Sequence, residues 1–113
     1  MTVGDVVRKL GLKALTGEAA GLLDRPVAGG YCSDLLSDVM ANAKEGVAWI
    51  TIQTHKNVIA VAVLTGVAAV IMTGGRQPDD ETRAKAEEER VVILATCEQS
   101  FDVAGRLYSL LRG

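Results

Sequence analysis

The sequence predicts an α/β domain built on parallel strands, and three observations lead there. Three apolar runs, VAWITI, AAVIM and VVILA, each break off into a short polar cluster: QTHKN (Gln53 to Asn57), TGGR (Thr73 to Arg76) and TCEQS (Thr96 to Ser100). The stretches between the runs are long enough for the crossover helices that parallel strands need. The apolar content, 49% of the chain, is carried by Val, Ala and Leu with only 4% aromatics, which suits an aliphatic core of helices on a sheet. Parallel runs would bring all three clusters out at one edge of the sheet, where open α/β sheets bind ligands.

The elements follow in order. Thr2 and Asp5 have the spacing of a capping box, and Val3, Val6, Val7 and Leu10 recur at helical intervals up to Gly11. Leu12 to Leu15, closed by Thr16 and Gly17, reads as a first strand, and Glu18 to Asp24 as a connection and the only candidate linker. Val27 to Cys32 reads as a strand at an edge or with a bulge, because Pro26 precedes it and two glycines lie inside it. Ser33 and Asp34 are N-cap candidates for a helix whose Leu35, Leu36, Val39, Met40 and Ala43 form one face and which stops near Gly46. Val47 to Ile52 is the next strand; its Trp49, the only indole, belongs to core or interface packing.

Asn57 to Leu64 reads NVIAVAVL, apolar nearly all round, so a helix here is buried on more than one side. Either a second layer or a partner subunit covers its outer face, and a symmetric homodimer is the natural form of the second. Ala68 to Met72 is a strand, followed by a helix from Pro78 to about Arg90 with proline in its first turn. Asp79, Asp80 and Glu81 at its start and Arg90 at its end complement the helix dipole, and Glu87, Glu88 and Glu89 read as a solvated face. Val91 to Ala95 is the last strand, and Ser100 to Leu111 a terminal helix with Val103, Leu107, Leu110 and Leu111 facing inward.

Length and charge narrow the function classes. The 113 residues are expected to form one domain, 1–113, with one core. A net charge of −2 and the absence of a Lys/Arg stripe argue against nucleic acid as a partner. The longest apolar stretch, Val58 to Met72, is interrupted at Thr65 and Gly66 and falls short of the roughly 20 residues of a spanning helix. No basic segment followed by a hydrophobic core opens the chain, so a cytoplasmic protein without membrane attachment is expected. Cys32 and Cys97 then read as reduced, buried or half-buried small side chains, and no metal-ligand spacing is present.

The candidate ligand site is the shared edge. His55, the only histidine, sits where a strand exits, with Thr54 and Asn57 beside it; the three can contact a ligand or simply cap the helix. Thr54 to Asn57 carry only neutral or positive groups, whereas Gly74, Gly75 and Arg76 lead into Asp79, Asp80 and Glu81. An anion at a helix start needs free N–H groups without a competing carboxylate, so the first loop is preferred, with Arg76 reaching across. Thr73 to Arg76 lacks the lysine of a P-loop and also reads as a tight turn with Arg76 paired to Asp79 or Asp80. Cys97 and His55 make a nucleophile and base only if their strand ends are adjacent.

The strings YCSDLLSDVMANAKEG, WITIQTHKNVIAVAVL, IMTGGRQPDDETRAKA and VVILATCEQSFDVAGRLYSLL together resemble a DRTGG domain, from about Val3 to Leu111. The five eponymous residues are not contiguous here: Asp24 and Arg25 precede Pro26, and the glycine part is matched by Thr73, Gly74 and Gly75. The resemblance implies a three-layer α/β/α fold with a mostly parallel sheet, similar to the N-terminal domain of the HPr kinase/phosphorylase. Such domains also occur beside CBS domains in some inorganic pyrophosphatases and within some phosphotransacetylases, with catalysis elsewhere. With the converging polar clusters, the resemblance points to a non-catalytic regulatory or ligand-sensing domain that takes a small anion such as a nucleotide, and the apolar Asn57 to Leu64 helix points to a homodimer. The expected contacts are Thr54, His55, Asn57, Thr73, Gly74, Gly75, Arg76 and Thr96, with no catalytic or metal-binding residue. The alternative is a protein-interaction or dimerisation module without a small-molecule ligand, of the stand-alone kind that accompanies iron-only hydrogenase machinery.

Overall fold

Each central strand divides its side chains between two apolar faces, and the helices are placed to cover both. The computed structural model describes residues 1–113. Its five strands are β1 (Lys13–Ala14), β2 (Gly29–Cys32), β3 (Val47–Thr51), β4 (Ala69–Met72) and β5 (Ile93–Ala95). They pair in the order β1-β5-β4-β3-β2, with β2 to β5 parallel and β1 antiparallel against β5. The helices are α1 (Val3–Leu10), α2 (Leu36–Asn42), α3 (Asn57–Thr65), α4 (Asp80–Glu88) and α5 (Ser100–Arg112). No helix is long and apolar enough to cross a membrane.

Trp49, Val70, Met72, Ile93 and Ala95 face one way and pack with Val39 of α2, Val58 and Val61 of α3 and Ala86 of α4. Ala48, Ile50, Ile71, Val92 and Leu94 face the other way and pack with Val3 and Val6 of α1 and Val103 and Leu107 of α5. The result is the expected three-layer α/β/α arrangement. Strands buried on both faces read as continuous apolar runs, which is how they appeared in the sequence.

Local signals act as expected at several boundaries. The Thr2 hydroxyl accepts from the Asp5 N–H and the Asp5 carboxylate from the Thr2 N–H, a complete capping box. Gly11 ends α1 in the left-handed conformation, at φ 67°. β2 lies at the sheet edge, as its glycines and the preceding proline predicted.

Other expectations are corrected. Ser33 and Asp34 do not cap α2, whose N-cap is Leu35 with no side-chain bond. Asp34 instead accepts from the Thr51 hydroxyl at 3.0 Å and the Ile52 N–H at 2.9 Å, so it ties the loop after β2 to the end of β3. Leu35 and Met40, assigned to the apolar face of α2, are exposed, because the helix is short and Val39 alone is fully buried. Pro78 lies before α4, whose N-cap is Asp79, and Arg90 lies beyond its end in the left-handed conformation at φ 60°. Glu87 is not merely solvated, since its carboxylate accepts the Gly17 N–H at 2.9 Å. Both cysteines are exposed: Cys32 is on the edge strand and Cys97 in the loop after β5. Leu110 and Leu111 are half-buried at the end of α5.

β1 is antiparallel and only two residues long, yet the chain after it holds β5 in place. The Leu15 N–H donates to the Ile93 carbonyl. The buried Thr16 hydroxyl donates to the Val91 carbonyl at 2.7 Å and accepts the Ile93 N–H at 2.8 Å. Thr16→Val leaves both backbone groups buried without partners, at about 1–3 kcal/mol for each unsatisfied group. Urea unfolding should show a lower midpoint with an unchanged slope, whereas a neutral result would remove Thr16 from the latch.

Candidate functional site

Parallel pairing brings the ends of β3, β4 and β5 to one edge, and the three polar clusters emerge there. Thr73, fully buried, is the joint: its N–H donates to the Thr51 carbonyl at 3.1 Å and its hydroxyl lies 2.6 Å from that of Ser100 at the start of α5. Gly74 and Gly75 follow at φ 75° and 77°, a doubly left-handed turn that side chains with a Cβ resist. Their N–H groups donate to the Glu98 and Thr96 carbonyls at 2.8 and 2.9 Å, so the β4 loop is fastened to the β5 loop. The Thr96 hydroxyl accepts the Glu98 N–H and shapes the second loop locally.

The positive φ is what requires glycine at Gly74, since a Cβ there would meet only the mobile tip of Arg76. That guanidinium folds back over the turn to within 3.5 Å of the Thr73 carbonyl. Arg76 is exposed and has no carboxylate within 4.0 Å; the expected pair with Asp79 or Asp80 does not form. Asp79 is instead occupied as the N-cap of α4, accepting the Thr82 N–H at 2.8 Å.

Beside Arg76 a cleft of about 410 Å³ opens between the β4 and β5 loops and β1. Lys13, Gly75, Arg76, Gln77, Thr96 and Cys97 are among its lining residues. Its one carboxylate, Glu98, is paired with Arg106, which also donates to the Leu10 carbonyl at 3.2 Å. The cleft thus has a positive balance from Lys13 and Arg76. Sequence reasoning missed Lys13, Gln77 and Cys97 here. Lys13 is brought in by the antiparallel register that sets it opposite Ala95, which nothing in a two-residue strand announces.

Thr54, His55 and Asn57 lie on the other side of β4, at the start of α3. The N–H groups there are already used: Asn57 donates to Nδ1 of His55 at 3.1 Å, Val58 to the His55 carbonyl and Ile59 to the Lys56 carbonyl. Carboxylates are also near, contrary to the expectation from the loop's own composition, because Glu81 lies 3.8 Å from Lys56. Asp79 is held below the ordinary aspartate range chiefly by its bonds from Thr82, with the charges of His55 and Lys56 adding to the effect. The structure therefore brings Gly75, Arg76 and Thr96 to the cleft, with Thr73 and Gly74 in the turn behind them, and sets Thr54, His55 and Asn57 apart. His55 and Cys97 leave strands separated by β4, roughly two spacings of about 4.8 Å, and are not an adjacent pair.

A family model, the DRTGG domain, matches residues 5–110. No curated protein sequence matches significantly. Among solved structures, the chain is similar to the CBS and DRTGG domains of the regulatory region of Clostridium perfringens pyrophosphatase, complexed with its activator, diadenosine tetraphosphate. The identity is 19% and the TM-score 0.69, over 92% of this chain and 44% of that one. The chain thus spans less than half the length of that structure.

The depressed Asp79 value has a consequence for stability. Its contribution is fully present above the ordinary aspartate value of 3.8 and is lost as pH falls through the lower folded-state value. Asp79→Ala should therefore be less stable than the parent at neutral pH, with the gap closing in acid. A gap that persists at the lowest pH at which both proteins fold would show that the carboxylate's charge is not what holds the turn.

Proposed function

This chain belongs to the DRTGG domain family, and on that premise we propose that it is a non-catalytic, ligand-sensing regulatory domain that takes a small phosphorylated anion, such as a nucleotide, at the C-terminal edge of its sheet. One observation carries the reading: Arg76, a cation without a carboxylate partner, stands on a rigid double-glycine turn beside Lys13, over a cleft whose only carboxylate is neutralised by Arg106. A phosphate on the Arg76 guanidinium would make charge-assisted bonds that water and the protein now supply only weakly. Gly75 and Thr96 would border the same anion, with Thr73 and Gly74 holding the turn beneath it. Thr54, His55 and Asn57 would serve as an outer wall for the rest of a larger ligand. The nucleotide-activated regulatory region to which the fold is similar supports that choice of ligand class.

A second reading rests on α3. Its Val63 is 50% and its Leu64 71% exposed, and with Ala60 they form an apolar stripe beside Ala84 of α4. That stripe fits the alternative of an interaction module in which a protein partner covers the helix.

A thermal-shift series with adenine and uridine nucleotides, dinucleotides and inorganic phosphate separates the two. A ligand at about 100 times its dissociation constant adds roughly 2.7 kcal/mol, a rise on the order of ten degrees for a domain of this size. The shift should vanish in Arg76→Ala while the melting point without ligand stays unchanged. A flat series in the parent protein, together with loss of partner capture in Ala60→Glu, would favour the interaction module.

A further inference from the structure

The two edges of the sheet are treated differently. β1 is two residues long, antiparallel and carries exposed Lys13, the usual means of keeping an edge from pairing. β2 is four residues, Gly29–Cys32, with no charge and no proline within it or in the preceding Val27 and Ala28. The sequence spends no protective residue on it.

Its backbone groups can be assigned. Tyr31 lies opposite Trp49, and the Ser33 N–H donates to the Ile50 carbonyl at 3.2 Å. Tyr31 and Ser33 therefore turn their backbone toward β3, while Gly30 and Cys32 turn theirs outward. The side chains at these outward positions face α5, since a Cβ on Gly30 would come within 3.1 Å of Leu107. Alongside runs an apolar shelf of Ala104, Leu107, Tyr108 and Leu111, with Tyr108 61% exposed.

We propose that β2 is a self-pairing edge: two copies of this chain join β2 to β2, antiparallel about a twofold axis through Gly30, into one continuous ten-stranded sheet. Charge argues for a second copy as the occupant. Arg112 stacks on Tyr108 at 4.8 Å and lines the groove beside Ala28, at the beginning of β2, without a carboxylate partner. Asp34, exposed just beyond the end of β2, is likewise without a cation. Antiparallel pairing carries Arg112 of each copy toward Asp34 of the other, so the surface is complementary to itself. An isologous contact of this kind closes on itself and leaves only the two lysine-protected β1 edges.

The register makes the test specific. Ala28 of one copy lies opposite Cys32 of the other; the Ala28 N–H stays with the Gly46 carbonyl at 2.9 Å, and the Cα separation across such an antiparallel pair, roughly 5.5 Å, is one a disulfide can span. Ala28→Cys in a Cys97→Ser background should convert almost wholly to a covalent dimer under mild oxidation, whereas Cys97→Ser alone should not. In sedimentation equilibrium the parent should have the mass of two chains. Cys32→Lys, which gives β2 the charge β1 already has and sets it against Arg112 of the other copy, should fall to one chain with its circular dichroism unchanged. Ala60→Glu should remain dimeric. A monomeric parent at hundreds of micromolar would overturn the proposal, as would a dimer that Ala60→Glu dissociates and the Ala28→Cys protein fails to cross-link.

Discussion

Burial of β3, β4 and β5 on both faces is the constraint on which the rest of the molecule depends. Trp49, Ile50, Ile71, Met72, Ile93 and Leu94 are each almost or wholly inaccessible, and they alternate between the two layers. Such strands tolerate polar groups only at their ends. Helices must cover both sides, so every connection between parallel strands crosses from one edge to the other. Polar chemistry is thereby confined to two rims, and at one of them the loops after β4 and β5 are joined by hydrogen bonds. The cleft beside Arg76 results from that geometry and needs no dedicated framework of its own.

The rim is stiff because its bonds run between loops. Thr73 is bound to the end of β3 and to the start of α5, the glycine pair to the β5 loop, and Arg106 ties Glu98 to the end of α1. Asp34 does the same between the loops after β2 and β3. A cation held on such a platform loses less freedom on meeting an anion than one on a mobile loop. By contrast, the start of α3 has satisfied its own N–H groups with His55 and Lys56, which is the state of a finished cap rather than of a waiting site.

What was legible in the sequence follows from range. The α/β class, parallel strand direction, the α1 capping box, the edge position of β2 and the emergence of the polar clusters at one rim follow from local pattern or from the rule that parallel strands end together, while the three layers were expected from the family resemblance. What was not legible depends on partners distant along the chain. Asp34 looked like a helix cap because its neighbours suit a helix start, yet Thr51, seventeen positions away, outcompetes α2 for it. Lys13 belongs to the cleft only because β1 pairs with β5. Glu87 looked solvated until the Gly17 turn came to rest on it. The cysteines were placed inside by composition, whereas an edge strand and a loop put them at the surface.

Asp24–Arg25 and Thr73–Gly75, the nearest matches to the family's five-residue string, do different work in the fold. Asp24 and Arg25 lie at the opposite rim, where Arg25 donates to the Arg90 carbonyl at 2.8 Å and its own carbonyl accepts the Val3 N–H. Thr73, Gly74 and Gly75 stand at the rim where the strands end, Gly75 in the wall of the cleft. The two pieces thus sit at opposite ends of the strands. The first piece fastens α1 and the turn of 3₁₀ helix at Leu22–Asp24 to the loop before β5, a task of assembly. In the second piece, the buried threonine anchors the turn, and the glycines give it the left-handed shape over which the Arg76 side chain folds back. The guanidinium that follows them is the group the ligand would meet. The residue proposed to meet the anion therefore follows directly on the double-glycine turn that positions it.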